Sequence, residues 1–402
     1  MNIYLISQWY YPEPDGRVSA LAEALALEGH NVVVVTAFPN YPQGKIYDGY
    51  YVKWRQWEEI NGVRVLRLPI FPDHSRSTIK RILNYVSFFL SLIFLAPWFI
   101  KKPDVFWAYT PFVILPTIFL KILFKTSYVL EITDVWPDTI YATGMLKKGM
   151  LTRLLNGIAH MGYKHASAIT VQNIGFKTRL EERDVEKERL FVVENWADEE
   201  IFKPVEYNIE LSKKYNLQDK FIVMFAGNMG IAQGLDNIIE SAKLCKDLTD
   251  IHYVFVGDGA CLQTTIQQVK DSELNNVSFV DRKPLNEMAS YFSLANVLLV
   301  TLRDDPLFEI TLPSKTQAYL ACGKPIIIAK RGKDAKMLDE KGCALNCEPD
   351  NPKALADMVK QMFYMSLGER ARMGENSLKL YKERYRKKVL VKIMEDILLN
   401  AA

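Results

Sequence analysis

Phe221-Ile-Val-Met-Phe-Ala-Gly-Asn-Met-Gly-Ile-Ala-Gln-Gly-Leu-Asp-Asn-Ile-Ile-Glu240 lies at mid-chain and reads as a strand, a glycine-rich turn and a helix. Residues 222–225 form a short unbroken apolar run, which suits a strand buried on both faces of a parallel sheet; Leu235, Ile238, Ile239 and Ala242 then recur at helical spacing. Gly227, Gly230 and Gly234 punctuate the turn. Glycine lets a backbone approach an anion closely, and the free N–H groups of a helix start hold phosphate oxygens. The spacing is neither that of a Walker loop nor G-x-G-x-x-G, and the same glycines also suit a plain strand-to-helix turn. One half of the chain precedes this stretch and the other is built from it.

Downstream the alternation continues. A strand over 253–256 ends in Gly257-Asp258-Gly259, a helix follows, and a strand over 277–280 leads to Arg282 and Lys283. After a helix over 285–292 and a strand over 297–301, the loop 303–312 runs into Pro313-Ser314-Lys315, a helix over 316–321, Cys322-Gly323-Lys324-Pro325 and a strand over 326–329. A helix start that combines proline, hydroxyl and cation suits a diphosphate, with Arg282 and Lys315 as the charges aimed at it. Solvated surface charge is the plainer reading of both. The chain contains no D-x-D, the paired carboxylates with which a metal-dependent nucleotide-sugar enzyme ordinarily holds its divalent ion. Neutralisation by Arg, Lys and helix ends is therefore expected, with no metal and no cofactor.

Upstream, a strand over 2–6, a loop over 7–16 rich in Trp, Tyr and Pro, a helix over 17–28 stopped by Gly29-His30, and a strand over 32–36 make a βαβ opening. The loop carries Pro12, Pro14, Asp15 and Gly16 at the carboxyl end of the first strand, where open α/β sheets put ligands. His30 reads as a helix-end residue. Residues 63–68 alternate apolar and basic, as a half-exposed strand does. The run 82–100 is 19 residues without a charge, long enough to span a bilayer. A single crossing there would separate the strands expected at 104–109 and 128–133 from their sheet, and the apolar run over 112–120 is too short to cross back. The preferred reading is a greasy helix or helix pair lying on a membrane, flanked by Lys80, Arg81, Lys101, Lys102, Lys121 and Lys125 against anionic head groups. An ordinary helix packed on the sheet is the alternative. In Glu131-Ile-Thr-Asp134-Val-Trp-Pro-Asp138 two carboxylates surround a turn at a strand end; Asp134 is the site candidate and Asp138 fits a helix cap. A helix over 151–164, strands over 168–171 and 190–193, and a helix over 176–182 complete this half, with a hinge in 195–204.

A chain of 402 residues suggests two domains, here 1–198 and 199–375, with a C-terminal helical segment 376–402. With 49% hydrophobic and 24% charged residues it is a folded protein, and a net charge of +3 is too small to argue for nucleic acid. The five cysteines all lie in the second half without a C-x-x-C pair, which favours a reducing compartment over a disulfide framework or a zinc site. The N-terminus runs straight into a strand, so no signal peptide is expected. The basic helical tail beyond 358 suits a solvated face as well as membrane contact.

Tyr10-Tyr-Pro-Glu13 with Arg17-Val18, Gly29-His30, Phe38-Pro-Asn-Tyr-Pro42, Asp134-Val-Trp-Pro-Asp138, Asn195-Trp-Ala-Asp198, Ala226-Gly-Asn-Met-Gly230 with Gln233-Gly-Leu235, Gly257-Asp-Gly259 and Pro313-Ser-Lys315 with Ala321-Cys-Gly-Lys-Pro325 together resemble the family 4 glycosyltransferases of the GT-B fold. The resemblance covers nearly the whole chain. It is to the bacterial branch that builds O-antigens, capsules and colanic-acid-type polysaccharides, which includes N-acetylfucosaminyl transferases. It implies an α/β protein of two Rossmann-like, doubly wound parallel-sheet domains facing a central cleft. The second domain would bind the nucleotide sugar, the first the acceptor, and the last helix would pack back on the first domain. It further implies that Gly227, Asn228, Met229, Gly230, Gln233, Gly257, Asp258, Arg282, Leu312, Pro313, Ser314 and Lys315 hold the nucleotide diphosphate. Glu309 and Thr311 would face the donor sugar, while Asp134, Asp15 and Gly16 would face the acceptor and the reacting centre. In one respect the chain departs from the family. The register of the family's two glutamates, eight positions apart, falls on Ile310 and Ala318, beside Glu309 and Gln317, and Gln317 is the expected substitute for the ribose contact.

The activity so implied is a metal-independent, retaining hexosyl transfer from a UDP-sugar to an undecaprenyl-diphosphate-linked sugar at the cytoplasmic face of the bacterial inner membrane. N-acetyl-L-fucosamine or a related N-acetyl-6-deoxyhexosamine is the first choice of donor sugar. Another nucleotide hexose, a GT-B epimerase or phosphorylase acting on a soluble substrate, and an inert UDP-sugar-binding scaffold are the competing readings.

Overall fold

The unbroken apolar runs become central strands. In the computed structural model, which describes residues 1–14, 16–75, 77–109, 111–136, 138 and 149–402, the chain divides into two units, Met1–Val193 with Val391–Ala402, and Glu194–Leu390.

Among the described residues, the sheet of the first unit contains β1 (Asn2–Ile6), β2 (Asn31–Ala37), β3 (Gln56–Ile60), β4 (Val63–Leu68), β5 (Val105–Tyr109), β6 (Ser127–Ile132), β7 (Ala168–Val171) and β8 (Leu190–Val192). Their order is β3-β4-β2-β1-β5-β6-β7-β8, parallel except for β3, which runs antiparallel to β4. The order reverses between β1 and β5, so a crevice-forming switch point lies at their carboxyl ends. β4 departs from the half-exposed strand expected over 63–68. β3 covers it, and Arg67 is fully buried, paired through Nε with Glu58 of β3 and donating to the Ala37 carbonyl at 3.1 Å. The apolar run over 82–100 is likewise not one helix: Thr78–Phe94 ends at Leu95, and a short helix, Ala96–Phe99, restarts with a proline in its first turn. The inward face of the longer helix is mixed, with Phe88 and Leu92 buried beside Asn84 and Ser91. Asn84 donates to the Phe71 carbonyl at 2.7 Å and accepts from Gln8 Nε2 at 2.7 Å, and Ser91 donates to the Pro69 carbonyl at 2.7 Å.

In the second unit β9 (Phe221–Asn228), β10 (Ile251–Asp258), β11 (Val277–Val280), β12 (Val297–Thr301), β13 (Ile326–Ala329) and β14 (Ala344–Cys347) are all parallel, in the order β11-β10-β9-β12-β13-β14. Side chains alternate between two cores. Ile222, Met224, Val254, Leu298 and Ile328 point to one, and Val223, Phe225, Phe255, Leu299 and Ile327 to the other, so helices cover both faces. The switch point here falls between β9 and β12.

The helix Lys387–Ala401 returns the chain to the first unit, where His30 Nε2 lies 2.8 Å from Glu395 Oε1 and the amino terminus lies 3.3 Å from His30 Nδ1. His30 thus does more than end a helix.

Candidate active site

At the carboxyl end of β9 the turn over 227–230 takes its shape from glycine. Gly257 has φ +145, and a Cβ on it would lie 2.1 Å from the Gly227 carbonyl oxygen; a Cβ on Gly259 would lie 2.6 Å from the Met229 nitrogen. The turns after β9 and β10 therefore touch backbone to backbone, joined by Met229 N donating to Asp258 O at 2.8 Å and Cys261 N to Met229 O at 2.9 Å. Asp258 Oδ1 accepts from Gly259 N at 2.7 Å, shaping its own turn. Asn228 is exposed beside it, while the Met229 side chain is fully buried in the core. Of Met229, only the backbone borders the turn.

The helix Lys315–Ala321 is aimed at this turn by Tyr319, whose buried hydroxyl donates to Ala226 O at 3.0 Å and accepts from Ala226 N at 3.1 Å. One helical turn earlier on the same face, Lys315 Nζ sits 3.7 Å from the Phe225 ring centroid, donates to Gln233 Oε1 at 3.0 Å, and lies 3.3 Å from where a Gly227 Cβ would be. No carboxylate pairs with it among the described residues. Burial pushes its ammonium down to about 7. Gln233 is fixed in turn by Thr301 Oγ1, which donates to its carbonyl at 2.6 Å.

Glu309 ends a short helix, Pro306–Glu309, capped by Asp305, and Thr311 Oγ1 donates to Leu307 O at 2.8 Å. Pro313 and Ser314 lead into the Lys315 helix, and the Leu312 side chain is buried in the core. Arg282 is exposed beyond the end of the edge strand β11, two strands from β9. Gln317 corrects the sequence expectation. It is 2% exposed, and its amide, assigned with the nitrogen toward the carbonyls of Ser314 and Pro313 at 3.0 and 3.2 Å, ties down the helix start instead of standing open to a ribose.

In the first unit, Asp15 lies outside the described residues and Gly16 opens the helix Gly16–Leu27. Asp134 sits past the end of β6, its side chain open to water, while the protein packed around it raises its carboxyl pKa. The helix that Asp138 is expected to cap lies outside the described residues; its carboxylate pairs with Arg179 at 2.8 Å and Arg183 at 2.6 Å. Arg17 pairs with the fully buried Glu131 at 2.6 Å and donates to Val193 O at 3.1 Å. Glu13, 3% exposed, was missed in the sequence: its carboxylate accepts from the backbone N–H groups of Asn40, Tyr41 and Tyr10 at 2.8, 2.7 and 3.2 Å, and burial raises it to about 7. It pins the loops after β1 and β2 together. Around them stand Trp9 and Tyr41, with ring centroids 5.4 Å apart, and the stacked pair Tyr85 and Phe112 at 3.9 Å. The signal for Phe225, Glu13 and Arg67 was present only as residue type; each role depends on strand pairing.

Residues 15–196 match the family described as glycosyl transferase 4-like domain, and residues 208–380 the family described as glycosyl transferases group 1. The chain carries both domains of a glycosyltransferase. This glycosyltransferase is 27% identical over 384 residues to the putative colanic acid biosynthesis glycosyl transferase WcaI of Escherichia coli K12, covering 90% of this chain and 92% of that one. It is also 27% identical over 245 residues to the probable glycosyltransferase WbjE of Pseudomonas aeruginosa, covering 60% of this chain and 61% of WbjE. Among solved structures it is similar to sucrose-phosphate synthase from Thermosynechococcus elongatus, with TM-score 0.77 and 17% identity over 98% of this chain and 97% of that one. Anabaena Alr3699/HepE, solved with UDP and glucose, gives TM-score 0.72 and 15% identity over 99% of both chains. These likenesses establish a GT-B-type pair of doubly wound units.

Proposed function

We propose that the protein is a retaining, metal-independent glycosyltransferase that moves a sugar from a UDP-sugar to an undecaprenyl-diphosphate-linked acceptor in bacterial surface polysaccharide synthesis. N-acetyl-L-fucosamine or a related N-acetyl-6-deoxyhexosamine is the donor sugar to try first. The observation that carries the reading is the Lys315 ammonium, partly buried against the Gly227 backbone and the Phe225 ring at the switch point of the second sheet, with no carboxylate partner among the described residues. A cation so placed is stabilised by an arriving diphosphate and stabilises the charge that grows on that diphosphate as the sugar leaves. Gln233 orients the ammonium, and the glycines of the two turns let the phosphates approach the backbone. Glu309 and Thr311 are the proposed donor-sugar contacts. Asp134 and the Asp15-Gly16 loop face the acceptor, whose sugar rings would stack on aromatics such as Trp9 and Tyr41. The name of the relative WcaI, a putative colanic acid biosynthesis glycosyl transferase, supplies the polysaccharide context.

Membrane association, proposed at the cytoplasmic face, draws its support as a contact from the outer surface of Thr78–Phe94 and Ala96–Phe99, where Ile79, Leu83, Leu90, Phe94 and Trp98 are exposed, and from Ile122 and Leu123 on the neighbouring helix Ile114–Phe124. Lys80, Lys101, Lys102 and Lys125 stand exposed around them. No helix among the described residues is long and apolar enough to cross a membrane. Calorimetry with UDP tests the reading at its centre: Lys315→Ala weakens binding by about 1.5–3 kcal/mol, the scale of a hydrogen bond to a charged group. Unchanged affinity removes Lys315 from the site. Transfer that stops in chelator and returns with magnesium ends the metal-independent mechanism.

A further inference from the structure

Lys330 directly follows β13 and is 1% exposed, although no carboxylate pairs with it among the described residues. Its ammonium donates to the backbone carbonyl oxygen of Glu309 at 3.1 Å. An ammonium is costly to bury, and the nearby Asp334 and Glu309 charges offset that cost only in part, so a lysine here needs a reason beyond packing. Two residues on, Gly332 at φ +113 passes so close that a Cβ would lie 2.0 Å from the same Glu309 oxygen and 3.2 Å from Lys330 Nζ. Between them, Arg331 turns outward and pairs with Asp304 at 2.8 Å, at the start of the loop that ends in Glu309. Three consecutive residues of one strand exit therefore grip that loop at both ends. The Glu309 carboxylate itself makes no hydrogen bond among the described residues.

We propose that Lys330 is the positioning residue of the donor-sugar contact. By holding the Glu309 peptide, with Gly332 packed close beside the same carbonyl, it fixes where the Glu309 carboxylate and Thr311 are presented, while the diphosphate cation Lys315 is held independently through Tyr319 and Gln233. This rests on the reading that Glu309 and Thr311 face the donor sugar. Replacing the ammonium by a thioether of similar length leaves the core filled and removes only the grip.

In the full-length protein, Lys330→Met is expected to leave UDP affinity within about two-fold of wild type while transfer from UDP-N-acetyl-L-fucosamine falls roughly ten- to hundred-fold, the range for losing a charge-assisted hydrogen bond. Amide hydrogen exchange over 309–312 quickens in the same variant, with 315–321 unchanged. Gly332→Ala, whose Cβ would crowd both that carbonyl and the Lys330 ammonium, is expected to reproduce the pattern. Unchanged exchange over 309–312, or a loss of UDP binding in step with transfer in both variants, overturns the proposal. Wild-type protein that binds UDP but transfers no sugar defeats the reading of function instead, and the exchange measurement still decides whether Lys330 holds the loop.

Discussion

The two switch points share a topology and differ in what their charges do. In the first unit the buried ions are matched internally: Arg17 with Glu131, Arg67 with Glu58, and the Glu13 carboxylate with three backbone N–H groups. In the second, Lys315 is held by a neutral amide and an aromatic ring. The first arrangement spends its charges on fixing loops. The second leaves its cation without a carboxylate partner among the described residues, as the proposed diphosphate site requires. Both sheets reverse their strand order at the switch point, and what separates the two ends is a cation, Lys315, on one, and on the other an exposed carboxylate, Asp134, with aromatic rings such as Trp9 and Tyr41.

Substitutions that break the pairing on the first side are expected to act on stability, and those on the second side on binding. The largest effect falls on Arg17→Met, which strands the buried Glu131 and destabilises the first unit by about 3–5 kcal/mol in denaturant melts. The double variant with Glu131→Met recovers most of that loss. Next comes the protonation of Lys315, about 7 in the free protein. A bound diphosphate draws it upward, so UDP binding at pH 8 takes up close to one proton and affinity falls as pH rises above about 7. Calorimetry in two buffers of different ionisation heat reads the uptake, and Lys315→Arg, which stays protonated, abolishes it.

Glu13 offers a smaller, opposite test. Burial holds its pKa at about 7, against the Arg67 charge and the backbone N–H groups that lower it, and so above the ordinary glutamate range. The folded state then keeps a proton that the unfolded chain releases, so this group's contribution is greatest at low pH and is lost as pH rises through about 7. Glu13→Gln should flatten that part of the stability profile in thermal melts. The smallest effect belongs to Arg282→Ala. On an exposed site two strands away from β9 it is expected to change UDP affinity by no more than about 1 kcal/mol, and a loss as large as that of Lys315→Ala would extend the anion site to the edge strand.

The second unit was the more legible in the sequence because its strands are buried on both faces and read as unbroken apolar runs ending in glycine. Lys315 was visible for the same reason, since Pro313 marks the helix start before it. What the sequence hid depends on pairing across distance. Gln56-Trp-Glu-Glu-Ile60 carries too many polar residues to announce a strand, yet β3 supplies the Glu58 that allows Arg67 to be buried. Gln317 looked like a ligand contact by residue type, but its helix register turns it inward onto the Pro313 and Ser314 carbonyls. The uncharged run over 82–100 hid a break at Leu95, because a proline inside a helix start costs little and leaves no polar signal.

Because Val391–Ala402 belongs with Met1–Val193, the second unit is a continuous insertion within a discontinuous one. The stretch Glu194–Leu390 is accordingly the natural piece to excise for crystallising with nucleotide. The other piece would need a linker joining Val193 to Val391, so that Glu395 still reaches His30, before it could be made alone. A tag fused beyond Ala402 loads the first unit, whereas a label placed on Lys353, for instance, reports from the second.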